Sequence, residues 1–101
     1  MVYEVKMIEL FEKKLKLLPE NKREDILSRL RKLSLNPFIG KPLGYKFLRE
    51  LKLDKFRVYY LIFETELVVL IITTGDKKDQ KDTIKYLRNN IQTFRKLVNF
   101  K

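Results

Sequence analysis

The sequence of 101 residues contains no cysteine, no histidine and no tryptophan. The absence of cysteine excludes a disulfide scaffold, cysteine-ligated zinc or iron–sulfur sites and thiol catalysis. The absence of histidine removes the commonest general base and the commonest transition-metal ligand. Enzyme classes that depend on either residue are therefore excluded, and we expect neither a metal nor another cofactor.

Long hydrophobic runs are also lacking. The longest uninterrupted apolar segments, Val58–Phe63 and Leu67–Ile72, have six residues each, whereas a membrane helix needs about 20. The first ten residues carry Glu4, Lys6 and Glu9 among apolar residues and do not resemble a signal peptide. We therefore expect a soluble, cytoplasmic protein.

Acidic residues are few relative to basic ones. Lys and Arg number 23, Asp and Glu 13, and the formal net charge is +10. Such a surface attracts polyanions, which include RNA, DNA, an anionic membrane and an acidic protein; a solvated lysine-rich surface without a partner is the alternative. Apolar residues make up 45%, which together with the length predicts one compact domain spanning residues 1–101.

Hydrophobic periodicity predicts elements in the order β-α-α-β-β-β-α. The predicted strands are 3–7, 46–53, 56–63 and 67–73, and the predicted helices are 8–18, 21–35 and 77–99. Segment 36–44, which holds Pro and Gly, is predicted to be a loop, and 54–55 a turn. The result is a small α+β domain with an antiparallel sheet, an αα-hairpin packed on it and a C-terminal helix. The apolar central strands predict burial on both faces, with helices covering one.

An apolar seam runs along the last predicted helix. It consists of Ile84, Leu87, Ile91, Phe94 and Val98, which recur at intervals of three and four. Two structures suit a seam this narrow. Either it packs along its own domain, or its first four residues bind a partner chain.

Several short segments of the sequence carry a family resemblance. They are Tyr3–Val5, Phe11–Pro19, Asn36–Gly44, Leu48–Lys52, Lys55–Tyr60 and Gly75–Gln80. In order and spacing they resemble the RelE/ParE superfamily, in particular the RelE-like toxins of type II toxin–antitoxin pairs. The resemblance implies an mRNA endonuclease that acts on the ribosome and is held inactive by an antitoxin from the neighbouring gene. ParE-like relatives share the fold and poison DNA gyrase instead, so the fold alone does not decide the activity.

The implied reaction determines which side chains to seek. Metal-free RNA cleavage directs a 2′-hydroxyl against its own phosphodiester and needs cations at the phosphorane, a base and an acid. Arg57 is the predicted phosphate clamp, because its guanidinium is permanently charged and bidentate and it matches the family's strand arginine. The resemblance also implies catalytic roles for Lys52 and for the turn residues Lys77 and Lys78.

Two positions depart from the family pattern. Glu50 stands where the best-known nucleases have a basic residue; its carboxylate either accepts the 2′-hydroxyl proton or pairs with Lys52 or Arg49. The family's helix tyrosine corresponds to Thr83, and Tyr86, one helical turn later, is the candidate replacement.

Aromatic and basic residues interleave in the predicted sheet, a combination that suits stacking on unpaired bases. The candidate RNA-binding residues are Lys46, Arg49, Tyr59 and Tyr86. Strand alternation places Tyr59 on the same face as Arg57.

Three functions remain open on the sequence. The first is a RelE-like nuclease, the second a ParE-like toxin that acts on DNA gyrase without catalysis, and the third a degenerate relative that retains only antitoxin binding. All three predict a cognate antitoxin, acidic and partly disordered until bound, which covers either the apolar helix surface or the basic face. The nuclease also predicts ribosome-bound mRNA as substrate.

Overall fold

The computed structural model describes residues 2–53 and 56–99, with the side chain of Phe56 left aside, so the predicted turn at 54–55 lies outside the described residues. The strands are β1 (Glu4–Met7), β2 (Lys41–Tyr45), β3 (Leu48–Leu53), β4 (Phe56–Phe63) and β5 (Val68–Gly75). The α-helices are α1 (Glu9–Lys16), α2 (Glu20–Arg31), α3 (Gln80–Asn89) and α4 (Ile91–Asn99). Short 3-10 turns occur at Lys32–Ser34, Pro37–Ile39 and Lys77–Asp79.

The strands form one sheet in the order β1-β5-β4-β3-β2. Neighbours from β5 to β2 are antiparallel, but β1 pairs with β5 in parallel. The prediction of an antiparallel sheet is therefore wrong for β1, and the sheet is mixed. A short turn forces two strands to run antiparallel, but most of the chain separates β1 from β5, so tertiary packing sets their direction.

Strand β2 occupies a segment that was predicted to be a loop. Pro42 and Gly44 are the reason for that prediction, because both residues are unfavourable inside a sheet. The strand lies at the edge of the sheet, where a proline removes no hydrogen bond that a second neighbour would need.

Helices cover both faces of the sheet, not one as expected. The αα-hairpin of α1 and α2 packs Phe11 and Leu30 against one set of alternating strand residues, which includes Val58 and Ile71. Helices α3 and α4 pack on the set that points the other way, which includes Leu61. The prediction of strands buried on both faces, with an αα-hairpin on the sheet and a C-terminal helix, is confirmed.

The predicted C-terminal helix is divided in two. Its first residues form the 3-10 turn Lys77–Asp79, and Asn90 ends α3 with backbone angles outside the helical region. The Asn90 side-chain amide donates to the carbonyl of Tyr86 at 2.8 Å, because asparagine readily hydrogen-bonds nearby backbone in place of continuing a helix. Among the helices of residues 2–53 and 56–99, none is long and apolar enough to cross a bilayer.

Candidate functional site

Sheet register brings the predicted site residues of β3 and β4 together. Glu50 pairs with Tyr59, and Lys52 pairs with Arg57; on the edge strand, Lys41 pairs with Glu50. Residues directly opposite each other in a sheet share a face. Three cations and one carboxylate therefore lie side by side on the face that carries α3.

These side chains line an open groove of about 400 Å³. Its lining residues are Ile39, Gly40, Lys41, Glu50, Leu51, Lys52 and Arg57. Lys41 and Lys52 are exposed, whereas the side chain of Arg57 is only 18% exposed. The groove therefore combines two exposed ammonium groups with a largely buried guanidinium, and both kinds of cation bind phosphates.

Glu50 is the buried carboxylate at the inner wall of the groove, with 6% of its surface exposed. Its Oε2 lies 3.3 Å from Arg57 Nε, and the same oxygen accepts a 2.6 Å hydrogen bond from Gln80 Nε2. A buried charge requires such partners, because leaving it unpaired is strongly destabilising. Both contacts use Oε2, which leaves Oε1 free of both.

Tyr59 lies behind this carboxylate and is completely buried. Burial, and then the nearby charge of Glu50, raise the pKa of Tyr59 above its ordinary value. The nearby Gln80 amide opposes this rise in the pKa of Tyr59. The amide and the Tyr59 hydroxyl are not aligned as a hydrogen bond, and the hydroxyl has no hydrogen-bond partner among the described residues. Both faces of β4 are covered at this position, so the Tyr59 ring, predicted to stack on RNA, is not exposed in this structure.

Arg49 stabilises the turn that leads into β2. Its guanidinium donates to the carbonyl oxygens of Lys46, Phe38 and Gly40 at 2.8, 3.0 and 2.8 Å. Arg49 pairs with Tyr60 and so lies on the sheet face away from the groove. In this structure the Arg49 Nε and Nη1 groups are used by backbone acceptors, and the side chain does not line the groove.

Lys46 and Tyr86 lie outside the groove. Lys46 is 3.6 Å from Glu64, at the far end of β4 and roughly 20 Å from Arg57 by strand rise. Tyr86 is 53% exposed and lines a second groove of about 340 Å³ with Thr73 and Thr83. The structure does not bring either residue to Arg57.

Lys77 and Lys78 occupy the 3-10 turn between β5 and α3 and are exposed. The Asp76 carboxylate caps this turn by accepting from the Asp79 backbone N–H at 3.2 Å. The turn leads directly into Gln80, which contacts Glu50. Both lysines therefore flank the groove without lining it.

The predicted partner-binding seam packs on its own sheet. Leu87 and Phe94 are buried in the core formed by α3, α4 and the sheet, while Ile84 and Ile91 are half-buried. Leu87 and Phe94 are thus not available to a partner in this structure. The narrow stripe is explained by two short helices that each present one row of residues to the sheet.

Two residues of the site, Lys41 and Gln80, were missed by sequence reasoning. Lys41 lies in the segment read as a loop, so no strand register connected it to Glu50. Gln80 precedes the apolar seam and gives no periodic signal. Among the described residues, no three Asp or Glu side chains come together as a metal site would need, so the groove offers cations and one carboxylate as its chemical groups.

A small α+β domain with this sheet order and a cationic groove on the face of α3 is similar to solved RelE toxins. A variant of the E. coli toxin RelE in the free state superposes with a TM-score of 0.69 and 22% identity, covering 86% of this chain and 99% of that one. The archaeal RelE–RelB complex from Pyrococcus horikoshii OT3 gives 0.65 and 24% identity, covering 76% and 97%. The RelBE2 toxin–antitoxin complex of Mycobacterium tuberculosis gives 0.65 and 21%, covering 76% and 93%.

No protein-family model and no curated protein matches the sequence. The structural matches show that the chain has the RelE fold. The family resemblance noted in the sequence is therefore confirmed at the level of the fold.

Proposed function

We propose that this protein is the toxin of a type II toxin–antitoxin pair and that it cleaves mRNA on the ribosome, in the cytoplasm. The observation that carries the proposal is the convergence of Lys41, Lys52, Arg57 and Glu50 on one groove of a RelE fold. Cleavage of RNA without a metal needs cations, a proton acceptor and a proton donor, and this groove contains side chains of each kind.

Each side chain has a distinct part in the proposed reaction. The 2′-oxygen forms a bond to phosphorus and its proton passes to Glu50, whose Oε1 is not used by Gln80 or Arg57. The Arg57 guanidinium stabilises the charge of the phosphorane. The bond to the 5′-oxygen breaks as that oxygen takes a proton from the ammonium of Lys41 or Lys52. The products are a 2′,3′-cyclic phosphate and a 5′-hydroxyl.

The exposed residues around the groove supply binding. Lys77 and Lys78 are proposed to contact flanking phosphates, because they precede the helix that contacts Glu50. Tyr86 is proposed to stack on a base that reaches the second groove.

An antitoxin is the proposed protein partner. Several similar solved proteins are toxin–antitoxin complexes, and the +10 charge of this chain favours an acidic partner. A segment that is disordered until it binds can cover a large part of a small toxin.

One observation favours a second function. Arg57 is already paired with Glu50 within its own chain, so a ligand phosphate must compete with that carboxylate. A ParE-like toxin that binds DNA gyrase, or a relative that retains only antitoxin binding, needs no such competition.

Inducible expression followed by mapping of mRNA 5′ ends within minutes tests the nuclease. We expect growth arrest and new 5′ ends at a fixed position within codons. The double variant Lys41→Ala/Lys52→Ala should lower cleavage about 100-fold, because it removes charge from the transition state. Both side chains are exposed, so the fold should be unaffected.

A matched control removes the same charge elsewhere. Lys22→Ala/Lys32→Ala alters exposed lysines on and after α2 and should cleave like the unaltered protein. Equal loss in both double variants would contradict the groove as the site. Arrest with intact mRNA would favour the gyrase target, and no arrest by a folded chain would favour the relative that only binds antitoxin.

A further inference from the structure

Gln80 connects the start of α3 to a strand that is remote in sequence. Its Nε2 donates to Glu50 Oε2 at 2.6 Å, across 30 positions of the chain. This is the shortest side-chain hydrogen bond among the described residues. The bond fixes one carboxylate oxygen of Glu50, which is the only buried charged residue among those that the structure describes.

The same oxygen is the partner of Arg57. The Nε to Oε2 distance is 3.3 Å, but the alignment is not that of a hydrogen bond, and Nε has no other partner in residues 2–53 and 56–99. The pairing of Arg57 with Glu50 is therefore an electrostatic contact without a well-aligned hydrogen bond from Nε. The strong directional contact to the carboxylate is the one from Gln80.

The position of Gln80 is in turn set by the packing of α3. Leu87 of this helix is fully buried against the sheet. Thr83, one turn after Gln80, lies within about 4 Å of where a side chain on Gly75 would begin, and Gly75 is the strand partner of Arg57. Helix, carboxylate and guanidinium thus form one connected unit.

We propose that Gln80 is a positioning residue: its amide anchors Glu50 Oε2 and thereby presents both the Arg57 guanidinium and the free Glu50 Oε1 to the groove. The catalytic consequence rests on the proposed function. Glutamine suits this task because an amide donates a hydrogen bond without adding a charge. A lysine here would compete with Arg57 for the carboxylate, and an acid would repel it.

Three variants at position 80 isolate the amide donor. Gln80→Met keeps the length of the side chain and removes the donor, Gln80→Leu keeps the branched shape and removes it, and Gln80→His retains an N–H donor. Gln92→Met is the matched control, because Gln92 is an exposed glutamine on α4. Melting temperatures identify any variant that fails to fold.

The first measurement is nitrogen-15 NMR of the purified chain, which follows the exchange of the Arg57 Nε proton with water. We expect Gln80→Met and Gln80→Leu to speed this exchange about tenfold or more, because the carboxylate is no longer held. Gln80→His should stay close to the unaltered protein, and Gln92→Met should match it.

The second measurement is cleavage of mRNA on programmed ribosomes. We expect Gln80→Met to lower kcat about 10- to 100-fold and to change KM less than about threefold, because misplacement affects the transition state more than binding. Gln80→His should restore most of kcat. If Gln80 served folding alone, Gln80→Met would lower the melting temperature without lowering kcat more than it changes KM.

Either measurement can overturn the proposal. Unchanged exchange of the Arg57 proton in the two donorless variants would overturn it, and so would a change in KM with kcat intact. If Gln80→Met does not fold, Gln80→Leu decides by the same criteria. If the unaltered chain cleaves no RNA, the proposed nuclease fails, and the exchange measurement still decides whether Gln80 positions Arg57.

Discussion

At the scale of the residue, one hydroxyl group sets the direction in which the chain enters β2. Tyr60 donates to the carbonyl of Pro37 at 2.7 Å and accepts from the N–H of Gly40 at 3.1 Å. Gly40 has no room for a side chain, because a Cβ would collide with this hydroxyl and with the carbonyl oxygen of Glu50. The contact places the following residue, Lys41, opposite Glu50.

Replacing this hydroxyl should destabilise the protein. Tyr60→Phe leaves the buried groups of Pro37 and Gly40 without their partner, and we expect the free energy of unfolding to fall by about 1 to 3 kcal/mol. Urea unfolding measures this. Tyr86→Phe alters a half-exposed tyrosine and should change the stability by less than about 0.5 kcal/mol.

The same hydroxyl predicts a dependence of stability on alkaline pH. Burial raises the pKa of Tyr60 to about 12, against about 10 in an unfolded chain. The folded state holds the proton more tightly, so this stabilisation is complete below pH 10 and is lost as the pH rises to 12. The stability difference between the unaltered protein and Tyr60→Phe should therefore fall by about 2 to 3 kcal/mol over that range, enough to cancel most of it or to reverse its sign. A constant difference would contradict the assignment.

At the scale of the element, α4 is attached to the sheet by two kinds of contact. Phe94 and Val98 are buried. Arg95 Nη1 donates to both carboxylate oxygens of Glu66, at 3.0 and 2.9 Å, and the guanidinium lies over the ring of Phe63. The end of α3 at Asn90 allows each short helix to turn its own apolar row inward. Both helices therefore belong to the core of the domain.

Truncation of the seam distinguishes a core from a partner surface. Leu87→Ala should lower the free energy of unfolding by about 2 to 5 kcal/mol, because it leaves a cavity. Leu97→Ala makes the same change at an exposed position of α4 and should cost less than about 0.5 kcal/mol. Thermal or denaturant unfolding of both variants gives the comparison. Equal and small effects would show that Leu87 is not held by the core.

At the scale of the whole molecule, charge and shape determine how a partner approaches. The molecule measures 34 × 30 × 23 Å, and the Debye length at physiological salt is about 8 Å. A bound partner therefore senses only the cations of the surface it covers. The full +10 charge acts during the approach, when salt is low.

The difference between the charge that acts during approach and the charge that acts in the bound complex gives a prediction for the antitoxin. The product of the adjacent gene should co-purify with this chain, and its association rate should fall about 10-fold or more between 50 and 500 mM salt, with little change in the dissociation rate. Stopped-flow mixing measures both rates. Loss of affinity in Lys41→Ala/Lys52→Ala would place the antitoxin on the groove, and unchanged affinity would place it on the helices. The absence of a stable complex would contradict the prediction.

Much of this fold could be predicted because its signals are local. The apolar runs of β4 and β5 and the stripes of the αα-hairpin act within a few residues. The direction of β1 and the strand at Lys41–Tyr45 could not be predicted, because each depends on a neighbour that is distant in sequence or on an edge position. The complete burial of Tyr59 could not be predicted for the same reason, because it depends on tertiary packing.

The residues of the candidate site likewise differ in whether the sequence could predict them. Glu50, Lys52 and Arg57 were predicted to act together from the family resemblance, and the register of β3 with β4 brings them together. Lys41 and Gln80 join them from elements on either side, and only the folded sheet shows that they meet.

The parallel pairing of β1 with β5 has a consequence for the newly made chain. Synthesis supplies β1 first, yet its partner begins about 60 residues later, which at cellular rates of translation is a delay of about 3 to 12 seconds. Gln80, which completes the contacts of Glu50, follows later still. The sheet and the contacts around Glu50 therefore cannot be completed until synthesis of the chain is nearly finished.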